Sequence, residues 1–101
     1  MSDNRKMHNP PHPGEFIKEV YLKPAGLSHR DLANSLKVAS STVNRLLNEK
    51  SGVSPEMAIR LSKALGRSAQ SWLAMQNAYD LDRSQRKINT EEIERLTSSP
   101  K

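Results

Sequence analysis

The chain has 101 residues, 35% hydrophobic and 4% aromatic, with 16 basic side chains against 11 acidic ones and a net charge of +5. That length builds one small domain with a lean core, burying roughly two-thirds of the surface its unfolded state exposes. The absence of cysteine excludes a disulfide framework and thiolate metal sites, no apolar run approaches the ~18 residues of a membrane span, and no signal peptide is expected.

A cytoplasmic protein is therefore expected, and the basic excess favours an acidic partner such as nucleic acid. Residues 1–12 hold Pro10 and Pro11 and little apolar periodicity, which reads as a flexible N-terminal arm. Pro13 suits a helix start because its missing N–H is not needed there. Phe16, Ile17, Val20 and Tyr21 follow at helical spacing, and Pro24 and Gly26 are expected to stop the helix. Ser28, with Asp31 three residues on, makes an approximate capping box for a second helix whose inner face is Leu32, Ala33 and Leu36.

After a short break at Lys37, Val38 and Ala39, a third helix is lined inside by Val43, Leu46 and Leu47 and ends at Ser51 and Gly52. Ser54, Pro55 and Glu56 start a fourth, with Ala58, Leu61, Ala64 and Leu65 as its buried stripe and Gly66 as its C-terminal cap. Ser68 caps a fifth helix that runs through Trp72, Leu73 and Met75 towards Tyr79. The predicted fold is all-α: a five-helix, phage-repressor-like helix-turn-helix domain over 13–82. A charged extension over 83–101 follows, with one short last helix in which Asn89 and Glu92 cap Ile93 and Leu96.

Two short helices across a tight break, with a small alanine at their closest approach, form the helix-turn-helix pattern. In that pattern the second helix enters the DNA major groove with its leading residues at base edges. The candidate base contacts are Ser40, Ser41, Thr42, Asn44 and Arg45. Short hydroxyl residues permit close approach, Arg can bond guanine O6 and N7 bidentately, and Asn can do the same to adenine N6 and N7. The competing reading is that serines at a helix start are caps and that an exposed Asn-Arg pair is a solvated face. His29 and Arg30 at the start of the second helix, and Asn48 and Lys50 beyond the third, are candidate phosphate contacts. The break ordinarily needs a left-handed glycine, and Lys37 stands there instead, at a cost of roughly 1–2 kcal/mol.

The segments HPGEFIKEVYLKPAGLS, DLANSLKVASSTVNRLLNEKSGVSPEMAIRLSKALG and SAQSWLAMQNAYDL, spanning roughly residues 12–82, closely resemble the HigA-type antitoxins, also called VapI-like addiction-module antidotes. The discriminating parts are the opening HPGE and the WLxxQxxYDL motif of Trp72, Leu73, Gln76, Tyr79, Asp80 and Leu81. Where such proteins often carry a hydroxyl N-cap, this chain has Ala39, so Ser40 becomes the candidate cap and the helix start shifts by one residue. The resemblance implies a homodimer on palindromic operator DNA at its own promoter. It also implies a partner toxin, an mRNA-cutting ribonuclease of the HigB class.

Trp72 is expected in the core near Phe16 and Tyr21, while Met75, Tyr79, Ile88, Ile93 and Leu96 are candidate dimer or partner contacts. A regulator of the same type without a toxin, or a helix-turn-helix module that binds protein, remains open. No catalytic residue, metal site or cofactor is expected, because Pro10 and Pro11 forbid a helix aligning His8 with His12 and no nucleophile has a base partner.

Overall fold

Among the described residues, four of the five α-helices begin where a side chain takes up an orphan amide of the first turn, and the remaining one begins bare. The computed structural model describes residues 9–98. His8 and residues 1–8 of the expected arm lie outside them, as do residues 99–101.

Helix α1 runs from Pro13–Phe16 through a π-helical stretch, Ile17–Leu22, into Lys23–Ala25. His12 is its N-cap, accepting the Gly14 N–H at Nδ1 over 2.9 Å, and is buried rather than part of a loose arm. The cap, together with packing of the ring on Tyr79, overrides the flexibility expected from proline-rich composition at this position. Pro24 does not stop the helix. The N–H of Lys23 reaches back to Lys18 O, a wider turn that accommodates the proline ring, and the chain leaves the helix only at left-handed Gly26. The same widening changes the angular spacing, so Val20, expected inside, is exposed.

Helix α2, His29–Leu36, has a complete capping box. The Asp31 N–H donates to Ser28 Oγ at 3.1 Å, and the Ser28 N–H donates to Asp31 Oδ2 at 2.8 Å. Helix α3 spans Ser40–Leu47, helix α4 Pro55–Ala64 under the Ser54 cap, and helix α5 Ala69–Lys87 under Ser68. Thus α5 continues well beyond Tyr79 and across the expected boundary at residue 82. No proline or glycine lies between Asp80 and Lys87, and Arg86 pairs with Asp82 one turn back at 3.1 Å. The expected last helix is a single 3₁₀ turn, Thr90–Glu92, in which Asn89 Oδ1 accepts the Glu91 N–H. Ile93 and Leu96 fall beyond it and are exposed.

The core gathers Ile17 and Leu22 from α1, Leu32, Ala33 and Leu36 from α2, and Val43, Leu46 and Leu47 from α3. Val53, Ala58, Leu61 and Trp72 complete it, with Ala64 and Leu65 half-buried at its rim. Trp72 is fully buried, edge-on to Phe16 with centroids 6.0 Å apart and tilted against Tyr21 at 6.1 Å. Its Nε1 donates to Gly66 O at 2.9 Å, so the polar end of the ring is satisfied. Arg60 of α4 donates to Leu36 O at 2.7 Å, closing the last turn of α2 from outside. Among the described residues no helix is long and apolar enough to cross a membrane.

Lys37 takes the left-handed conformation (φ 61°, ψ 44°), and Val38 N–H then bonds Ala33 O, so the turn between α2 and α3 is made with a lysine. Lys37→Gly is expected to raise stability by about 1 kcal/mol, lifting the melting temperature by roughly 4–8 °C in a thermal scan. Asp31 is held below its ordinary 3.8 first by the Ser28 backbone N–H and then by the Ser28 side chain. A depressed carboxyl pKa stabilises above the unfolded value and is lost as pH falls through the folded one. Asp31→Asn should therefore flatten the fall in denaturant midpoint below pH 3.8 relative to the unmutated chain.

A candidate nucleic-acid interface on α3

Helix α3 packs on α2 and beneath the start of α1, which leaves its leading end outside. Val43, Leu46 and Leu47 are buried, while Ser40, Ser41, Thr42, Asn44 and Arg45 are all exposed. The periodicity that sinks one flank lifts the other five residues into a single outward patch.

Ala39 is the N-cap, in extended conformation and without a side-chain bond. Ser40 is therefore the first helical residue and not the cap; its main chain has already turned helical, so the start does not shift. The backbone of Thr42 and Val43 closes on Ala39 O, and no side chain among the described residues caps the amides of Ser40 and Ser41. With no acidic residue in that first turn, the positive end of the helix is left open to an anion.

Asn44 Oδ1 accepts from Asn48 Nδ2 at 3.4 Å, a weak bond along one exposed helix face that does not use the Asn44 amide NH₂. Arg45 is in no ion pair with a described carboxylate. The phosphate candidates Arg30, Asn48 and Lys50 are exposed and His29 is half-buried. The end of α3 is tied off by Glu49, left-handed at φ 62°, and by a 2.8 Å bond from Lys50 N–H to Arg45 O.

What seats α3 comes from the flanks. Gly14 lies against the last turn of α3, where an added Cβ would overlap the Leu46 carbonyl oxygen and sit 2.9 Å from its carbon. Only glycine allows the two backbones this close. His12, two residues before, packs edge-to-face with Tyr79, centroids 4.9 Å apart. Gln76 accepts the Val53 N–H at 2.8 Å and donates to Asp80 at 3.0 Å. The HPGE and WLxxQxxYDL motifs therefore converge on the far end of α3.

Over residues 17–72, more than half of the chain, the sequence matches the family described as Helix-turn-helix. The chain is 50% identical over 70 residues to virulence-associated protein I of Dichelobacter nodosus, a match covering 69% of this chain and 65% of that protein. It thus spans a little under two-thirds of that relative. Antitoxin GraA superposes with a TM-score of 0.82 at 41% identity, over 87% of this chain and 98% of that one. The Pseudomonas aeruginosa antitoxin HigA, solved with the higBA promoter, gives a TM-score of 0.74 at 37% identity, over 88% and 100%.

The chain belongs to the HigA-type antitoxin family of helix-turn-helix proteins. In this HigA-type chain the residues named for a second interface separate into two groups. Met75 packs against the core, and Tyr79 is half-buried between His12 and Arg83, whose guanidinium lies 5.4 Å from the ring. Ile88, Ile93 and Leu96 are exposed, Leu96 almost completely at 95%.

His12, Gly14, Arg60 and Gln76 carry structural work that the sequence reading gave to no side chain. Gln76 had a signal: it is a polar residue on the buried stripe, four positions after Trp72. Among the described residues no group of His, Asp or Glu could hold a metal ion. Gly14→Ala should destabilise the fold by about 1–3 kcal/mol, since the carbonyl it strikes is main chain and cannot rotate away. A lowered urea midpoint in equilibrium unfolding is the check.

Proposed function

We propose that this chain is the antitoxin of a type II toxin-antitoxin module, a cytoplasmic homodimer that represses its own operon and holds inactive an mRNA-cleaving, HigB-like ribonuclease. The observation that carries the DNA half is the outward patch on α3, five exposed residues at one end of a helix whose other flank is buried. Ser40 and Ser41 bring the bare helix start against a phosphate or a base edge, and Thr42 offers a hydroxyl or a methyl. Asn44 and Arg45 supply the discriminating hydrogen bonds. His29, Arg30, Asn48 and Lys50 set register on the backbone. Antitoxin GraA has been solved in complex with its operator, and this chain superposes on that form with a TM-score of 0.80 at 40% identity.

One such head binds weakly, because Arg30, Lys37, Arg45 and Lys50 stand against Asp31 and Glu49 in the same segment. Two heads on a two-fold dimer, about 34 Å apart, match successive turns of a palindromic site and multiply the specificity. The exposed Ile88, Ile93 and Leu96 are among the apolar groups available to pair the copies or to meet the toxin.

Fluorescence anisotropy with the duplex upstream of this gene tests the DNA half. Specific binding is expected, and Arg45→Ala should cost about 1–3 kcal/mol on that duplex while hardly changing binding to unrelated DNA. An equal loss on all sequences makes Arg45 a phosphate contact, and no specific binding by the unmutated chain ends the reading. Co-purification with the product of the neighbouring gene, followed by a ribonuclease assay, tests the toxin half. Specific DNA binding without ribonuclease inhibition would leave a regulator that has no toxin.

A further inference from the structure

Two polar side chains are buried among the described residues, His12 and Gln76. His12 caps its own helix, but Gln76 reaches across 23 positions of sequence to take the Val53 N–H at 2.8 Å. The room for it is made by Gly52, where a Cβ would stand 2.8 Å from the Gln76 amide carbon. The amide is oriented by its second bond, Nε2 donating to Asp80 Oδ1 at 3.0 Å. Val53 is itself buried, so the loop between α3 and α4 is pinned there through both side chain and main chain. Its other anchor is Lys50, whose N–H bonds Arg45 O at 2.8 Å. Only Ser51 and Gly52 lie between the two anchors, and the Gln76 bond therefore sets the path along which the chain leaves Lys50.

We infer that Gln76 is a positioning residue for DNA binding: without touching DNA, it holds the loop after α3 so that Lys50 and Asn48 meet the phosphate backbone. The inference rests on the DNA-binding reading above and adds a residue of α5 to it. A side chain that served stability alone would lower the unfolding midpoint and leave the number of phosphates engaged unchanged. One that places a cation on the backbone changes that number. It is read from the slope of log affinity against log salt, about 0.9 per phosphate.

The experiment measures that slope with the full chain on its upstream duplex, by anisotropy at several potassium chloride concentrations. Lys50→Ala should lower the slope by about one per protomer. Gln76→Leu should lower it to a similar extent at a temperature where circular dichroism shows the variant folded, and the two changes together should lower it no further. Gln76→Glu opposes two carboxylates at Asp80 and should behave as Gln76→Leu, whereas Gln76→Glu with Asp80→Asn restores an acceptor for Val53 and a donor from position 80, and with them the slope. Gly52→Ala crowds the Gln76 amide away from the Val53 N–H while keeping every polar group, and gives the same loss if Gln76→Leu does not fold. A wild-type slope in Gln76→Leu or Gly52→Ala, additive losses with Lys50→Ala, or no effect of Lys50→Ala overturns the inference. If the unmutated chain binds its duplex specifically, that result leaves the DNA reading standing; if it does not, the DNA reading itself has failed.

Discussion

The outward presentation of α3 depends on a contact between two stretches of main chain. At Gly14 the first turn of α1 lies on the Leu46 carbonyl and on Leu47, with no side chain between them. Side chains facing each other can exchange rotamers to absorb a shift, whereas two backbones at closest approach have little such freedom. Around this point the His12 cap, the Tyr79 ring and the buried flank of α3 meet. Once the end of α3 is seated there and Val43, Leu46 and Leu47 are covered, the exposed residues at its start need no individual support to face outward.

Departures from the local rules of helix construction gather beside that helix, although α1 also carries a π-helical stretch past Pro24 and Arg67 is left-handed between α4 and α5. Side-chain caps start α1, α2, α4 and α5, yet α3 starts on an alanine. Of the three described non-glycine residues in left-handed conformation, Lys37 and Glu49 bracket α3. Each departure costs stability, and on the proposed DNA-binding reading each serves an anionic partner: bare amides at one end, a lysine in the turn before it, and Lys50 just after the second turn. Concentration of such departures at one element is what a binding surface produces, where local consistency gives way to recognition.

The tail follows a different logic. From Asp80 onward α5 has few groups on the core, and it is carried by propensity and by pairs such as Arg86 with Asp82. Exposed ion pairs of this kind contribute little to stability. A helix extended in this way, followed by exposed Ile88, Ile93 and Leu96, has apolar surface that the described residues do not cover.

Helix starts at Ser28, Ser54 and Ser68 were readable from sequence because capping is settled within four residues. So were the inner faces of α2 and α3, because their spacing is local, and so was Lys37, because the break leaves one position for the left-handed residue. Three features were not readable. Pro24 signals a stop to any local rule, and the i to i−5 bonding that carries the helix past it is a choice made by the folded chain. The bonds of Gln76 and Arg60 join residues 23 and 24 positions apart, a pairing that no short window of sequence contains. His12 looked like part of a loose arm because its burial depends on Tyr79, far along the chain.

By itself the sequence determined which segments coil, where most of them begin and which flank of α3 would be apolar, since propensity, capping and periodicity act over a few neighbouring residues. Tertiary structure alone decided how α3 is held and where its surroundings stop: the backbone contact at Gly14, the path of the loop through Val53, and the share of α5 left without a core to cover. Those depend on distances between residues remote in the chain, which exist only once the helices have packed.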